Sequence, residues 1–559
     1  MEKGTKKIII LYFIFIAVKI LLSFLISGPS VFGDEYVYSK LASSIHTSLE
    51  YTIHNIHVST PVPLYPMLIS LSYFFDDINL IYFVIKLINI IIISLTIFPF
   101  YFLARKFLET KEALIISFIA MLMPMMFNTN FYVMSENLYY PLFASFIYFL
   151  YCALNDNSLS KCIYSGIILG LMFLTRAISA FIIPAFLLTY IILRKKVKFT
   201  IVISHYLSAL IIVVPWFLRN GIMYGFTPQG LLGFYSVAGQ KAITTVTELL
   251  GPFINWIIIY LGYAIIATGF FFGTYYFLGF YIKENKYKTF FALSTVLLSL
   301  IIIAAANESA STRIFYDTIF KYFTRRPIGR YVDPAALILL LGGFITYVKL
   351  GFKKIKFLKA SIISAIVLVI SAQLTIAPLF PFNNQSLTLL GAINYAAHYA
   401  LGISVEKFSI LIFALFSLIF MIFIIVFNLE SVAKKAVKIT AAFFIITTII
   451  AFSVSVKTLT IWAESEQLKL SKFIGENYPG ANILFDEENC VEKVSREDYK
   501  AICQKDKRNS IIGYWINSNI TVGSTKNLED YDYILTSKKL DYKIIKDIKG
   551  ELFFYSVEK

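Results

Sequence analysis

The chain has 559 residues, of which 58% are hydrophobic and 15% are charged, and its formal net charge is +16. Soluble globular proteins carry about a quarter charged residues, so this composition excludes a water-soluble domain. The positive charge does not indicate a nucleic-acid partner. Residues 457–559 hold sixteen basic and seventeen acidic side chains, so the surplus lies in the apolar part of the chain.

Long apolar runs recur throughout residues 1–456. Each is long enough to cross a hydrocarbon core of about 30 Å as a helix, the form in which a backbone satisfies its own hydrogen bonds in lipid. The first run, Ile8–Ser27, is too long for a signal peptide and lacks a cleavage site, so we expect it to stay as a span. The sequence predicts thirteen spans, at residues 8–28, 78–104, 111–128, 137–154, 162–174, 177–193, 199–218, 252–282, 289–306, 335–348, 358–378, 407–428 and 439–456.

Basic clusters lie at alternate ends of these runs. They are Arg105-Lys106-Lys111, Arg194-Lys195-Lys196-Lys198, Lys283-Lys286-Lys288, Lys353-Lys354-Lys356 and Lys434-Lys435-Lys438. The positive-inside rule puts them on the cytoplasmic side of the plasma membrane and residues 457–559 outside. The predicted outer loops are long and cover residues 29–77, 219–251, 307–334 and 379–406. Loops carry much of protein function, so chemistry is expected at the outer face.

Residues 457–559 form a separate domain in this interpretation, and residues 1–456 form the membrane domain. A helix is predicted over 463–478. Strands are predicted at Asn482–Phe485, Ile511–Trp515, Tyr533–Thr536 and Glu551–Tyr555. This alternation predicts a small extracytoplasmic α/β domain.

The four cysteines divide between the two sides of the membrane. Cys152 and Cys162 flank a predicted inner loop and are expected to stay reduced. Cys490 and Cys503 lie in the outer domain, where a disulfide and two free buried thiols are both compatible with the sequence.

The first outer loop contains two features that bear on chemistry. Asp34 and Glu35 open an amphipathic segment, either as a solvated helix N-terminus or as site carboxylates. Tyr65 lies in the proline-rich stretch Thr60–Pro66, where it is either an interfacial aromatic residue or a ligand contact.

Taken in order, several short motifs resemble the GT-C superfamily of membrane glycosyltransferases, with protein O-mannosyltransferases and lipid A aminoarabinose transferases nearest. The motifs are an Asp-Glu pair after the first span, Pro63-Leu64-Tyr65-Pro66, Met134-Ser135-Glu136-Asn137, Leu174-Thr175-Arg176, Pro215-Trp216-Phe217-Leu218-Arg219-Asn220 and Gly329-Arg330-Tyr331-Val332-Asp333-Pro334. The resemblance covers most of residues 1 to about 350. It implies an all-α polytopic GT-C-like membrane protein with a small α/β C-terminal domain.

The resemblance also implies a reaction. Such enzymes move a sugar from a polyprenyl-phosphate carrier to an acceptor hydroxyl of a protein, lipid or glycan on the extracytoplasmic face. By this analogy Asp34 is the general base of an inverting displacement. The resemblance further suggests that the donor or its phosphate contacts Glu35, Tyr65, Glu136, Arg176, Arg219, Arg330 and Tyr331.

Most of these residues also have a structural interpretation. Arg219 is placed to reach the interface at a helix end, and Arg330 shares a basic loop with Arg325 and Arg326 that would also suit lipid headgroups. Glu136 would suit a helix N-terminus, and Tyr65 and Tyr331 would suit an aromatic belt. Arg176 interrupts an apolar stretch, where a charge indicates function.

No cofactor is certain from the sequence. A divalent cation held by Asp34, Glu35 and Glu136 remains open, and no metal ligand is assigned, because loop histidines such as His54 and His57 are more often solvated. Thr60 stands where the aminoarabinose transferases place a lysine, which puts an identical donor in doubt.

A transporter or lipid flippase without bond chemistry is the alternative function, and a structural subunit is a third. A transporter predicts two similar halves, and no such repeat is evident. The enzyme hypothesis predicts that Asp34, Glu136, Arg176, Arg219 and Arg330 converge on one outward cavity that opens to lipid.

Overall fold

The computed structural model describes most of the chain. The described residues are 3–30, 33–193, 199–233, 246–311, 327–351, 354–375, 379, 382–395, 414–415, 417–419, 421–422, 425–426, 429–460, 465–486, 507–516, 519–523, 528 and 530–557. The predicted pair Cys490 and Cys503 lies outside these ranges, as do Arg325 and Arg326.

Helices dominate the described part of the chain. The α-helices are Lys3–Ser23, Gly33–Ser48, Leu64–Ile69, Ile78–Ser94, Ile97–Ala104, Thr110–Met121, Pro124–Asn128, Glu136–Asp156, Leu159–Thr175, Ala185–Leu193, Phe199–Tyr224, Pro228–Leu232, Val246–Ala267, Phe271–Tyr276, Asn285–Ser311, Asp333–Leu350, Lys354–Ser371, Thr388–Tyr395, Glu430–Ala433, Ala436–Thr460, Glu466–Asn477 and Lys507–Tyr514. Short 3-10 helices are Ser70–Phe74, Thr129–Phe131, Ala177–Ile182, Phe277–Tyr281, Gly329–Tyr331, Ala372–Thr375 and Gln385–Leu387.

Seven helices of the described residues are long and apolar enough to cross a membrane, and an eighth span results if one bent pair is counted together. That pair, Thr110–Met121 and Pro124–Phe131, bends by 66° where Pro124 follows the break. Proline lacks an N–H and clashes with the preceding turn, so a continuous helix is disfavoured there. The polytopic, mostly helical membrane fold is confirmed, and the predicted number of thirteen spans stays a prediction.

The predicted span 252–282 is also interrupted. Residues 252–282 were expected to cross the membrane as one continuous helix. Instead, the helix Val246–Ala267 ends within this range and a separate short helix begins at Phe271. Gly269 and Phe270 have positive φ angles of 72° and 68°, a backbone conformation that no right-handed helix continues through. Hydropathy alone does not reveal such a break.

The C-terminal part contains the predicted small α/β domain. Its sheet is formed by β3 (Asn482–Asp486), β4 (Asn519–Gly523), β5 (Tyr533–Thr536), β6 (Lys543–Ile548) and β7 (Leu552–Ser556). The strand order is β4-β3-β5-β7-β6, with β3 parallel to β4 and β5 and with β7 antiparallel to β5 and β6. The strand predicted at Ile511–Trp515 is wrong, because Ile511–Tyr514 belongs to the helix Lys507–Tyr514. A short apolar run fits a buried helix as well as a strand.

The first long loop is folded and packs against this domain. It contains the helix Gly33–Ser48 and the hairpin of β1 (Thr52–Ile53) and β2 (Ile56–His57). Lys40 Nζ donates to the Ile516 carbonyl over 2.9 Å, and Tyr36 Oη lies 3.2 Å from His54 Nε2. The helix that begins at Gly33 therefore has a fixed place between the membrane part and the C-terminal domain.

Two buried lysines set the path of the first helix. Lys86 Nζ donates to the carbonyls of Ser23 and Ile26, each over 2.8 Å. Lys19 Nζ donates to the Met126 carbonyl over 2.8 Å. A buried ammonium must be hydrogen-bonded, and carbonyls at a helix C-terminus are the groups left without intrahelical partners. Lys86 therefore fixes where the chain leaves the first helix, eleven residues before Asp34, and Lys19 ties that helix to the helix Pro124–Asn128.

The buried His54 predicts a pH dependence of stability. Burial, reinforced by the positive charge of Lys40, lowers the pKa of His54 to about 3. Between about pH 6.5 and pH 3 the unfolded state then binds a proton that the folded state does not. The free energy of unfolding should therefore fall as pH is lowered through this window.

Unfolding curves in detergent at pH 7, 5 and 4 measure this dependence. His54→Gln should flatten it, whereas His57→Gln, at an exposed position of the same hairpin, should leave it unchanged. Equal slopes for His54→Gln and the parent would show that another group is responsible.

Candidate functional site

Four charged side chains from separate parts of the chain meet at one place. Asp34 lies in the first turn of the helix Gly33–Ser48, and Glu136 is the first residue of the helix Glu136–Asp156. Arg176 stands between the helix Leu159–Thr175 and the 3-10 helix Ala177–Ile182, and Arg330 lies in the 3-10 helix Gly329–Tyr331. Each side chain thus comes from the end of an element, where the backbone changes direction.

Ion pairs connect these four residues. Glu136 Oε1 pairs with Arg176 Nη1 and lies 3.5 Å from Arg330 Nη1. Arg330 Nη2 lies 2.9 Å from Asp34 Oδ2. Glu136 is buried, with 1% of its side chain exposed, whereas 43% of the Asp34 side chain is exposed. The cluster therefore has a buried anionic centre, two arginines around it and a carboxylate at its accessible edge.

The local backbone explains the position of Arg176. The helix ends at Thr175, and Arg176 is extended, with φ −153° and ψ 118°, while its N–H still donates to the Met172 carbonyl over 2.9 Å. The side chain is only 9% exposed. A buried guanidinium requires compensation, which the Glu136 carboxylate supplies.

Aromatic rings cover the two guanidinium groups. The ring centroid of Tyr331 is 5.0 Å from Arg176 Cζ and 5.6 Å from Arg330 Cζ, and Tyr139 lies 5.6 Å from Arg176 Cζ. These distances are typical of cation–π contacts. Burial raises the pKa of Tyr331, although both arginines oppose the shift. Burial disfavours the charged form of Arg330, but the carboxylates of Asp34 and Glu136 raise its pKa above the ordinary value.

The cluster borders a small cavity with two kinds of wall. Its polar wall is formed by Arg176, Arg330 and two tyrosines, and its apolar wall by isoleucines and an alanine. The full lining is Tyr139, Arg176, Ile178, Ile182, Ile301, Ala304, Arg330 and Tyr331. The chemistry of this lining suits an amphiphilic molecule with an anionic head, because guanidinium groups bind phosphate or carboxylate with charge-assisted hydrogen bonds.

Glu35 and Tyr65 lie beneath the cluster and contact protein groups. Glu35 is fully buried and accepts hydrogen bonds from Ser30 Oγ over 2.6 Å and from the Val133 N–H over 3.0 Å. Tyr65 is also buried and donates to Asn89 Oδ1 over 3.1 Å. The contact with Val133 ties the first loop to the segment that precedes Glu136, and the contact with Asn89 ties it to the helix Ile78–Ser94.

Arg219 contacts a different region. Its guanidinium donates to the Val58 carbonyl over 3.0 Å and to Asn220 Oδ1 over 2.8 Å, and it lies 4.9 Å from the Trp216 ring. Among the described residues, these contacts bind Arg219 to the hairpin of the first loop and do not join it to the ion-pair cluster.

Sequence reasoning missed several residues of the site. Tyr139 is three positions after Glu136 on one helix, so helical spacing could have identified it as a neighbour. Ile178, Ile182 and Ile301 carry no chemical signal and resemble other lipid-facing residues. Within the described ranges, no group of three or more His, Cys, Asp or Glu side chains is placed to hold a metal ion, and the divalent cation stays a prediction.

The burial of Glu136 predicts a large difference between two neutralising substitutions. Glu136→Gln leaves two arginines without their shared buried counter-charge, and we expect it to lower the free energy of unfolding by about 3–5 kcal/mol. Asp34→Asn removes a partly exposed pair and should cost about 1 kcal/mol or less. Denaturant unfolding in detergent compares the variants. Equal losses would contradict the central place of Glu136.

Comparisons with known proteins agree with this architecture. A family model described as dolichyl-phosphate-mannose-protein mannosyltransferase matches residues 59–218. The crystal structure of ArnT from Cupriavidus metallidurans bound to undecaprenyl phosphate has a TM-score of 0.57 at 12% identity, covering 97% of both chains. The same protein in the apo state has a TM-score of 0.53 at 11% identity, covering 99% of this chain and 98% of that one.

No curated protein sequence matches the chain. At these identities the structural likeness establishes the fold, and the family model covers the part of the chain that holds Glu136 and Arg176. The chain is an integral membrane protein with the fold of ArnT, as its resemblance to the GT-C superfamily predicted.

Proposed function

We propose that the chain is a GT-C-type glycosyltransferase that moves a sugar from a polyprenyl-phosphate-linked donor to an acceptor hydroxyl. One observation carries this proposal. Arg176 and Arg330 line a cavity whose other wall is apolar, and the partly exposed Asp34 pairs with Arg330. An anion-binding wall, an apolar wall and a carboxylate are the three groups that this reaction needs.

The donor would bind with its phosphate at the two arginines. Guanidinium groups suit phosphate because their N–H donors match its oxygen atoms, and the surrounding rings exclude water. The apolar wall would contact the first carbons of the lipid, which explains why such a cavity is useful in a membrane protein. ArnT, which has the same fold, was crystallised with undecaprenyl phosphate, and this ligand supports the same class of carrier here.

Asp34 would act as the general base. The acceptor oxygen attacks the anomeric carbon while its proton passes to the Asp34 carboxylate. The bond between the anomeric carbon and the phosphate oxygen breaks, and the electron pair leaves with polyprenyl phosphate. That leaving group is a stable anion held by the arginines, so no acid is required. A single displacement inverts the anomeric centre.

The other predicted residues take supporting roles in this proposal. Glu136 holds both arginines, and Tyr331 covers them. Glu35 and Tyr65 hold the first loop in place, and Arg219 binds its hairpin. No residue is assigned to a divalent cation, and assays with and without EDTA would decide whether one takes part.

The reaction is proposed to take place on the extracytoplasmic side. The basic clusters of the sequence favour this orientation by the positive-inside rule. The C-terminal domain contacts the same loop that carries Asp34, through Lys40 and Ile516, so both belong to one side of the membrane. The proposed membrane and C-terminal domains are residues 1–456 and 457–559. Labelling of single cysteines introduced at exposed positions of either segment would test the orientation.

The assignment of Asp34 predicts a loss of turnover without a loss of fold. Asp34→Asn keeps the size of the side chain but cannot accept the proton, so transfer should fall by at least about a hundredfold. Purified protein in nanodiscs is incubated with a panel of polyprenyl-phosphate sugars, and release of the free carrier is measured. Asp76→Asn, an exposed carboxylate of the same loop, is the matched control.

Two results would overturn the assignment. Parental turnover of Asp34→Asn in nanodiscs would exclude Asp34 as the base. In proteoliposomes, whose two faces are separated, movement of intact lipid-linked sugar across the bilayer without release of carrier would support a flippase instead.

The arginine clamp predicts a graded effect on donor affinity. Arg176→Lys and Arg330→Lys keep the charge but lose the paired N–H donors, so affinity for undecaprenyl phosphate should fall about ten- to hundredfold. Arg219→Lys should leave affinity close to that of the parent. Quenching of tryptophan fluorescence by the lipid measures the binding. An equal loss in Arg219→Lys would place that residue in the clamp.

A further inference from the structure

The turn that carries Arg330 is held by three consecutive backbone amides. The N–H of Ile328 donates to Tyr260 Oη over 3.0 Å, and the N–H of Gly329 donates to Asn384 Oδ1 over 3.0 Å. The N–H of Arg330 donates to the Asn383 carbonyl over 2.8 Å. Two of these three acceptors belong to neighbouring residues of one distant segment.

The same distant segment also holds the other end of the turn. Ser386 Oγ donates to Asp333 Oδ1 over 2.8 Å, and the hydroxyls of Tyr263 and Tyr140 reach the two oxygens of this carboxylate at 3.3 and 3.4 Å. Asp333 is buried and begins the helix Asp333–Leu350, where a negative charge is favourable. All three hydroxyls can donate to the oxygens of the Asp333 side chain, which ties the start of this helix to three other parts of the chain.

Packing leaves the turn little freedom to move. A Cβ added to Gly329 would meet the Tyr263 hydroxyl and ring at 2.0–2.4 Å, so the backbone of the turn lies directly against that ring. Gly329 and Asp333 are both buried, while the Arg330 side chain leads from the turn toward Glu136 and Asp34. The direction of the guanidinium is therefore set by the backbone on which it stands.

We propose that residues 383–386, here called the positioning segment, hold the turn 328–333 so that Arg330 faces the donor phosphate. Asn384 is the principal positioning residue, because within the positioning segment it is the residue whose side chain accepts from an amide of the turn, and Asp333 with Ser386 secures the far end. This inference rests on the proposed function and extends it to a segment that the sequence indicates only as part of a long loop.

The physical reason is geometric. Arg330 bridges two carboxylates and is proposed to bind phosphate, and a displacement of about 1 Å is enough to lose aligned charge-assisted hydrogen bonds. If the backbone were free to move, the long Arg330 side chain would lose conformational freedom each time it aligned with the phosphate, and this loss costs free energy. Because the backbone on both sides of Arg330 is fixed, that freedom is already lost when the protein folds.

The first experiment measures the turn itself. Hydrogen–deuterium exchange of the peptide covering 327–333 is compared in nanodiscs between the parent, Asn384→Ala and Leu389→Ala, a half-exposed residue of the adjacent helix. Asn384→Ala should raise exchange at this peptide at least about tenfold, and Leu389→Ala should not. Ser386→Ala, a milder change, should give a smaller increase. Parental exchange in both Asn384→Ala and Ser386→Ala would overturn the inference.

The second experiment tests whether Asn384 acts through Arg330. Affinity for undecaprenyl phosphate is measured for Asn384→Ala, Arg330→Lys and the double variant. Each single change should weaken binding about tenfold, and the double variant should bind no more weakly than the weaker single variant. A purely structural role would give losses that multiply, and that result would overturn the inference.

The two experiments also separate this inference from the proposed function. Absence of lipid-phosphate binding by the parent would refute the function, while the exchange measurement would still decide whether the positioning segment holds the turn. Lipid binding by the parent together with unchanged exchange in both Asn384→Ala and Ser386→Ala would refute only the inference.

Discussion

The burial of Glu136 between Arg176 and Arg330 is the interaction on which the site depends. Removing three charges from water is costly, and the cost is offset only when the charges are paired closely and hydrogen-bonded. None of the three can therefore be buried alone. Their pairing draws together the start of one helix, the break in a helical hairpin and a turn far along the chain.

The sequence predicts part of this cluster because charged residues are easily recognised within apolar stretches. Arg176 interrupts an apolar stretch, and Glu136 begins one, so the sequence alone distinguishes both from their neighbours. Of the five residues predicted to converge, Asp34, Glu136, Arg176 and Arg330 meet in one ion-pair cluster, and the two arginines line the cavity beside it. Arg219 presents the same signal, an arginine at the end of an apolar run, yet it donates to carbonyls of the first loop and to its neighbour Asn220. Composition and spacing do not show which backbone carbonyls a loop presents. The sequence alone therefore cannot distinguish an arginine that binds loop carbonyls from one that joins the ion-pair cluster.

Prediction of the fold from the sequence is limited in the same way. Apolar runs predicted the membrane helices, because burial in lipid depends on composition averaged over many residues. The break after Ala267 depends on two backbone angles at Gly269 and Phe270. Residues 511–514, predicted as part of a strand, form the end of a helix that packs against the sheet and the first loop. Asn384 was equally hidden, since an asparagine in a polar loop has no distinctive pattern until its amide partner at Gly329 is known.

Charge balance connects the resting site to the proposed reaction. Two guanidinium groups face the carboxylates of Glu136 and Asp34, so a donor phosphate entering beside them adds a negative charge that the cluster does not offset. Glu136 is buried against both arginines and is the costlier partner to displace, whereas Asp34 is partly exposed and contacts only Arg330 within the cluster. Exchange of Asp34 for phosphate at Arg330 is thus the lower-cost route for donor binding. The same exchange frees the Asp34 carboxylate, which is the state in which a general base accepts a proton.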